Sequence, residues 1–252
     1  MAVVLPFRNI DPDMSDLDLP SVSINIPCYC RREFIPLIIM NINCQSYPRE
    51  KIELVILQDG PENLFLSPVH ESVFREAIHP ATLIYKYQSG RATIGQKRNQ
   101  LVKMSSHKII ASMDSDDLYM PSYLRYSVNA LLKEKAGAAS SAAMLFVYPK
   151  LDYQLRHIHC ARINQCHEAC AVFTKKYHAS VGGFEKKSQG EGISFFGNNE
   201  KKVINLDIEK LMICVCHGDN TIGKSQFLKS TDAGHVNDDS AHIKLLRDMF
   251  PA

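Results

Sequence analysis

Nowhere in the 252 residues do about 18 apolar residues run together, the length that a membrane-crossing helix requires. The N-terminus, from Met1 to Asp13, has neither a basic start nor an apolar stretch long enough for a secretion signal. Both absences lead to the expectation of a soluble, cytoplasmic protein without a transmembrane segment. Lysine and arginine never form a run, and 29 of them against 27 acidic residues leave a formal charge of only +2. That balance lacks the basic field that nucleic-acid binding needs, so nucleic acid is not expected as a partner. No internal repeat and no low-complexity tract is present, which excludes a solenoid or a linker-like chain.

Cysteine is not scarce, but it is not patterned either. The eight residues at 28, 30, 44, 160, 166, 170, 214 and 216 lie scattered, several inside apolar runs, as small reduced hydrophobes do in a cytosolic protein. Cys160, Cys166, His167 and Cys170 can be drawn as a zinc site, yet their spacing matches no standard finger, and structural zinc is not expected.

What the sequence does contain is an ordinary globular composition, 45% hydrophobic and 22% charged, sized for one catalytic domain. Its chemistry is densest at residues 107–121. There an apolar run, Ile109 to Met113, stops in three carboxylates, Asp114, Asp116 and Asp117, and Pro121 opens a helix. Three acids in four residues repel one another unless water or a cation sits among them. Taken alone, a solvated Asp-rich turn capping a helix explains the pattern equally well.

The surrounding pattern is that of an α/β protein. Residues 1–20 read as an extended lead-in, and Val22 to Pro27 as a first strand. A helix follows from about Arg32 to Gln45. Pro36 fits only in its first turn, and Ile35, Ile38, Ile39 and Ile42 share a face. The continuous apolar run Ile52 to Leu57 suits a strand buried on both sides, and it ends in Gln58-Asp59-Gly60. A helix near Val69 to Ile78, a strand over Thr82 to Gln88 and a helix over Gly95 to Met104 lead into the central strand. Strands alternating with helices predict a largely parallel, nucleotide-binding sheet, with ligands at the carboxyl ends of the strands, where Asp59 and Asp114 lie.

Beyond the acids, Pro121 to Lys135 is an amphipathic helix. Ala142 to Tyr148, Asp152 to Ile158 and Glu168 to Thr174 have a hairpin-like pattern, so the second half is expected to be mixed rather than parallel. Gly182-Gly183-Phe184 interrupts it, a polar segment runs to about Lys202, and the apolar run Lys210 to Cys216 ends in His217. A terminal helix is expected around His242 to Met249. The expected organisation is a lead-in (1–20), a single catalytic domain (21–224, with a nucleotide-binding half to residue 120 and an acceptor-side half from 121) and a C-terminal tail or helix (225–252).

In this order the pieces resemble the inverting glycosyltransferases of family 2, with the GT-A fold, over about residues 21–224. Val22-Ser23-Ile24-Asn25-Ile26-Pro27-Cys28-Tyr29 looks like the family's opening strand and Pro-x-Tyr turn. Gln45-Ser46-Tyr47-Pro48 and Glu53 to Gly60 look like its second strand, with Gln58 in place of the first Asp of an Asp-Asp-Gly. Gly95-Gln96-Lys97-Arg98-Asn99 is similar to its Arg-Asn helix, and Asp114-Ser115-Asp116-Asp117 to its Asp-x-Asp signature.

The resemblance implies a divalent cation, Mn²⁺ or Mg²⁺, that offsets charge developing on a nucleoside diphosphate leaving group. Asp116 is then the direct ligand, and His217, on a loop similar to the family's C-terminal one, closes over the metal. Asp114 reaches the ribose, with Pro27, Ser115 and Lys97 lining the nucleotide-sugar site. Lys224 has two readings, a phosphate contact or a solvated lysine. Asp59 is expected to accept a bond from a base such as uracil N3–H, Tyr29 to contact that base and Arg98 to add a charge-assisted bond. The base that deprotonates the acceptor follows a Gly-Gly-Phe in the family, which makes Glu191 the candidate here; Gly192 stands where a second acid is often found.

The function expected on these grounds is metal-dependent transfer of a sugar, with inversion, from a nucleotide sugar, UDP-linked in this reading, to a hydroxyl on a glycan or glycoprotein. Two rivals remain. A non-catalytic nucleotide-sugar or glycan-binding module is favoured by the missing second acid. A sugar nucleotidyltransferase is disfavoured because Pro27-Cys28-Tyr29-Cys30-Arg31-Arg32 holds no glycine for a phosphate loop. Neither the sugar nor the acceptor is encoded in a motif.

Overall fold

A computed structural model describes residues 16, 18–160, 162–217, 220, 227–228 and 240–250, together with the backbone of 232–235. Lys224 and most of the residues of the 1–20 lead-in lie outside the described residues. No helix among those described is long and apolar enough to cross a membrane.

The first half folds as its periodicities require. Strand β1 (Val22–Tyr29) pairs in parallel with β2 (Ile52–Asp59), and β2 with β3 (Thr82–Gln88). Every residue of β2 is buried, as its unbroken apolar run implies. Between β1 and β2, a single turn at 32–34 leads into helix α1 (Ile35–Asn43), with Pro36 in the first turn and Ile35, Leu37, Ile38 and Ile42 buried. Helix α2 (Pro68–Ile78) is capped by Ser67. Helix α3 (Ile94–Met104) begins with a capping box in which Thr93 and Gln96 satisfy each other's backbone N–H groups. Strand β4 (Ile109–Ser112) then returns beside β1, in parallel with it.

The second half is mixed, for a reason that differs in part from the sequence reading. After the short β5 (Leu118–Tyr119) and helix α4 (Tyr123–Lys133), strand β6 (Ala138–Ser140) leads to a true hairpin of β7 (Ala143–Tyr148) and β8 (Gln154–His159). The stretch expected as a third partner, Glu168 to Thr174, does not join that hairpin. Its first residues form a 3₁₀ turn, Glu168–Cys170, and only β9 (Val172–Thr174) is extended. It lies antiparallel between β4 and β6 in the main sheet, where Val172 and Phe173 are fully buried.

Two short helices follow, α5 (Lys175–Ser180) and α6 (Ile193–Gly197), then β10 (Val203–Asn205), β11 (Met212–Val215), β12 (Asp232–His235) and α7 (Ala241–Met249). The main sheet has seven strands in the order β10-β6-β9-β4-β1-β2-β3, and a second sheet has five, β12-β8-β7-β11-β5. The acidic turn connects β4 of the first sheet to β5 of the second.

That turn is pinned from behind. Buried Asn41 on α1 donates from Nδ2 to the Asp117 carbonyl at 2.8 Å and accepts the Tyr119 N–H at 3.0 Å. The Tyr119 hydroxyl, fully buried, accepts the Asp114 N–H at 2.7 Å and donates to the Ala169 carbonyl at 2.9 Å. Replacing Asn41 by Leu leaves one buried carbonyl and one buried N–H of the turn unpaired, an expected loss of about 2–5 kcal/mol. Urea denaturation measures it; a loss below about 1 kcal/mol would show that water takes over both partners.

Candidate active site

The three acids of the turn divide into different tasks. Asp117 faces inward, accepting the Val215 N–H at 3.0 Å and a thiol contact from Cys214 at 3.5 Å, so it ties the turn to β11. All three border one cavity, and Asp114 and Asp116 also line a second recess beside it.

Asp116 is held in a ring of positive and donor groups. His217 Nε2 lies 3.0 Å from its Oδ2, and Arg31, just past the end of β1, places a guanidinium nitrogen 3.1 Å from the same oxygen. His217 is itself fixed, with its N–H on the Asn220 side chain at 2.8 Å and its ring stacked on Phe250 at 5.5 Å. Burial acts to raise the Asp116 pKa, but the His217 hydrogen bond and the Arg31 charge outweigh it and hold the carboxyl below the usual aspartate range. The residues expected as metal ligands are therefore brought together, with an arginine as the local countercharge.

Asp114 belongs to a second ionic cluster. Arg98 on α3 reaches its Oδ1 at 3.0 Å through Nη2 and Glu191 Oε1 at 3.1 Å through Nε. Arg98 was expected near the nucleotide base; it instead bridges carboxylates in the neighbouring cavity. Enclosure raises the Asp114 pKa against the pull of Arg98, with Asp116 and Glu191 adding to the rise.

The loop that carries Glu191 docks on the start of α3. Gly95 donates to the Lys187 carbonyl at 3.0 Å, and a Cβ at Gly95 would lie 1.8 Å from the Glu185 oxygen. Asn99 completes the docking: its side chain donates to the Phe184 carbonyl at 2.7 Å and accepts the Phe184 N–H at 2.9 Å. Gly183 takes the left-handed φ of +75° at that turn. Arg98 thus faces the acids while Asn99 holds the loop, which explains why adjacent residues of these types serve one site.

One acid of the cluster had no signal in the sequence. Glu168, in the 3₁₀ turn before β9, lines the same cavity as Arg98, Asp114, Asp116 and Glu191 and accepts the Gly192 N–H at 2.9 Å. Burial, and then the neighbouring Glu191 charge, raise its pKa to about 7 despite the opposing pull of Arg98. The only trace of it in the sequence is the glycine at 192, whose absent side chain leaves the space that Glu168 occupies.

On the other side of Arg31 lies a second cavity of about 570 Å³, lined by Tyr29, Arg31, Arg91, Lys97 and neighbours; the acidic one measures about 180 Å³. A smaller recess lined by Pro27, Ser115, Asp114 and Asp116 lies along both. The Arg91 guanidinium covers the Tyr29 ring at 4.3 Å, a cation–π contact.

Asp59 lies at the strand end as expected, but its carboxylate points inward. Its carboxylate is wholly out of solvent and engaged on both oxygens, by Lys97 Nζ at 2.7 Å and by the Ala92 N–H at 2.7 Å. Lys97 also donates to the Cys28 carbonyl at 3.0 Å. The pair builds the wall of the larger cavity from inside: an uncompensated buried charge on either side would be costly, so each requires the other.

Among the described residues, no three His, Cys, Asp or Glu side chains converge in an arrangement that could hold a metal ion by themselves. Asp116 and His217 nonetheless suit a divalent cation that takes its remaining ligands from phosphate and water. A carboxylate with an imidazole is a donor pair that Mn²⁺ accepts, and Arg31 stands in for a cation on Asp116.

The family model for Glycosyl transferase family 2 matches residues 23–218. No curated protein matches the chain closely in sequence. Among solved structures it is similar to the mannosyltransferase PcManGT from Pyrobaculum calidifontis in complex with GDP-Man and Mn²⁺, at TM-score 0.61 and 19% identity, covering 87% of this chain and 62% of that one. It is also similar to S. aureus TarS 1-349 in complex with UDP (TM-score 0.61, 14% identity, 77% and 60% covered) and with UDP-GlcNAc (TM-score 0.60, 12% identity, 79% and 60% covered). The chain spans about 60% of the length of these structures, and the fold they share with it is GT-A.

The charge balance around Glu168 has a consequence for stability. A glutamate whose pKa rises from 4.5 to about 7 on folding disfavours the native state once it must ionise. Glu168→Gln and the parent protein are expected to be equally stable below about pH 4.5. The variant then gains on the parent as pH climbs to about 7 and keeps a constant advantage above it, on the order of 1–3 kcal/mol. Thermal melts across pH measure the difference; an advantage that shrinks with rising pH would reverse the assignment.

Proposed function

Because the chain belongs to glycosyl transferase family 2, we propose that it moves a sugar, with inversion, from a nucleoside diphosphate sugar to a hydroxyl on a glycan or glycoprotein, with Mn²⁺ or Mg²⁺ as cofactor. The observation that carries this reading is the position of Asp116. It lines both the acidic cavity and the recess at the edge of the Tyr29 cavity, with His217 and Arg31 on one of its oxygens.

In this reading the nucleoside occupies the larger cavity, its base on Tyr29 and Arg91 and its ribose toward Asp114. Pro27 and Ser115 line the recess through which the diphosphate passes, and Lys97 shapes the wall with Asp59. Asp116 and His217 would hold a divalent cation, which would supply positive charge against the diphosphate as the glycosidic bond breaks. Arg31 adds a guanidinium beside the same oxygens. Arg98 holds Asp114 and Glu191 apart in fixed orientations, and the acceptor hydroxyl enters the acidic cavity, where a carboxylate takes its proton.

The donor is UDP-linked in our reading. Calorimetric titration with UDP and with GDP, each with and without Mn²⁺, is expected to show Mn²⁺-dependent binding of UDP that Asp116→Ala abolishes. Stronger binding of GDP would change the donor. Absence of binding by both would remove the transferase reading, and binding without release of nucleoside diphosphate from any sugar donor would leave only a binding module.

A further inference from the structure

Resting on the transferase reading above, the geometry points to Glu168 as the base that deprotonates the acceptor, with Glu191 as the residue that positions Arg98. Two carboxylates, Glu168 and Glu191, lie together at the acceptor side of the acidic cavity, and their surroundings differ in kind.

Glu191 is 5% exposed, and its Oε1 is committed to the Nε of Arg98, a guanidinium that is itself buried. An acid in that place is spent on orienting the arginine, which it shares with Asp114. Glu168 makes no ion pair among the described residues. It is half-buried rather than sealed, and its Oε1 accepts a backbone N–H, from Gly192. A base must be free to gain a proton and then lose it to solvent, and of the two only Glu168 is so placed. Its raised proton affinity, near 7, suits that task at neutral pH.

Gly192 supplies an independent observation. A Cβ built there would sit 2.4 Å from Cγ and 2.6 Å from Oε1 of Glu168. A side chain at 192 and the Glu168 side chain in its present position claim the same space, so here a carboxyl reaches that space from the turn before β9. The missing acid of the sequence is present in space.

In the transfer step, an oxygen lone pair of the acceptor attacks the anomeric carbon while the bond to the diphosphate breaks and its electron pair leaves with the nucleoside diphosphate. The acceptor's proton passes to the Glu168 carboxylate, which then releases it to water.

The experiment measures release of nucleoside diphosphate from UDP-GlcNAc and from GDP-mannose with Mn²⁺, with water as acceptor. It compares the parent protein, Glu168→Gln, Glu191→Gln, Glu168→Ala and the exchange variant Glu168→Ala/Gly192→Asp, each titrated with UDP and GDP and followed from acid to mildly basic pH. Glu168→Gln is expected to bind nucleotide as the parent does, to turn over roughly 10²- to 10⁴-fold more slowly, and to lose the acid limb of the pH profile. The exchange variant is expected to regain at least about tenfold over Glu168→Ala by returning a carboxyl to the vacated space.

Parental turnover in Glu168→Gln, or loss of the acid limb in Glu191→Gln alone, overturns the assignment while nucleotide binding keeps the transferase reading intact. Failure of the parent to bind either nucleotide, or to release diphosphate from either donor, defeats both. Should Glu168→Gln not fold, the exchange variant decides by itself: rescue relative to Glu168→Ala upholds the assignment, and its absence overturns it.

Discussion

A single buried arginine connects the parts of this site. Arg98 lies on α3 with its guanidinium enclosed, and an enclosed cation is tolerable only with carboxylates against it. It takes one from each half of the chain, Asp114 from the turn after β4 and Glu191 from the loop before α6. Its Nη1 finds no hydrogen-bond partner among the described residues, the kind of orphaned donor that folded proteins rarely leave without a use. Because the arginine satisfies carboxylates from both segments, the loop cannot leave α3 without exposing a buried charge, and Gly95 and Asn99 reinforce that docking with backbone contacts. The loop side of the cavity is therefore held by the same residue that orients Asp114.

Like charges crowded into a turn are usually a defect, and the structure resolves the problem by turning them in different directions. Asp117 is spent on the backbone of β11, Asp114 on Arg98, and Asp116 on His217 and Arg31. Tyr119 and Asn41 hold the backbone between them, so the divergence is built into the turn rather than left to side-chain choice. Strand β5 then carries the chain into the second sheet, which also brings β11, and with it His217, back against Asp116.

The elements of the first half were legible because burial on both faces of β2 and the alternation of helix and strand leave little freedom in how the chain is read. The acidic turn and His217 were legible too, since residues at the ends of apolar runs mark a rim. What could not be read was orientation. Asp59 sits at a strand end as expected, yet it points into the protein because Lys97, one turn into α3, offers it a buried partner. The segment from Glu168 to Thr174 has the composition of a hairpin strand, but β4 and β6 leave a gap in the main sheet that its last three residues fill antiparallel. That displacement also carries Glu168 to the cavity, 24 residues before the glycine it touches, a separation that no local pattern encodes.

The cavity ends with two kinds of carboxylate, and their difference follows from their neighbours. At one end His217 and Arg31 overcome the effect of burial and keep Asp116 ionised, the condition for holding a cation or a diphosphate-bound metal. At the other, Glu168 is half-buried beside an acid whose own arginine is already shared with Asp114, and its proton affinity rises to about 7. Groups of one chemical type are thus separated in acidity by where the cations stand, and on our proposal one end keeps its negative charge while the other takes and releases a proton. The placement of Arg31, His217 and Arg98 thus shapes how charge is distributed across the cavity more than the number of acids does.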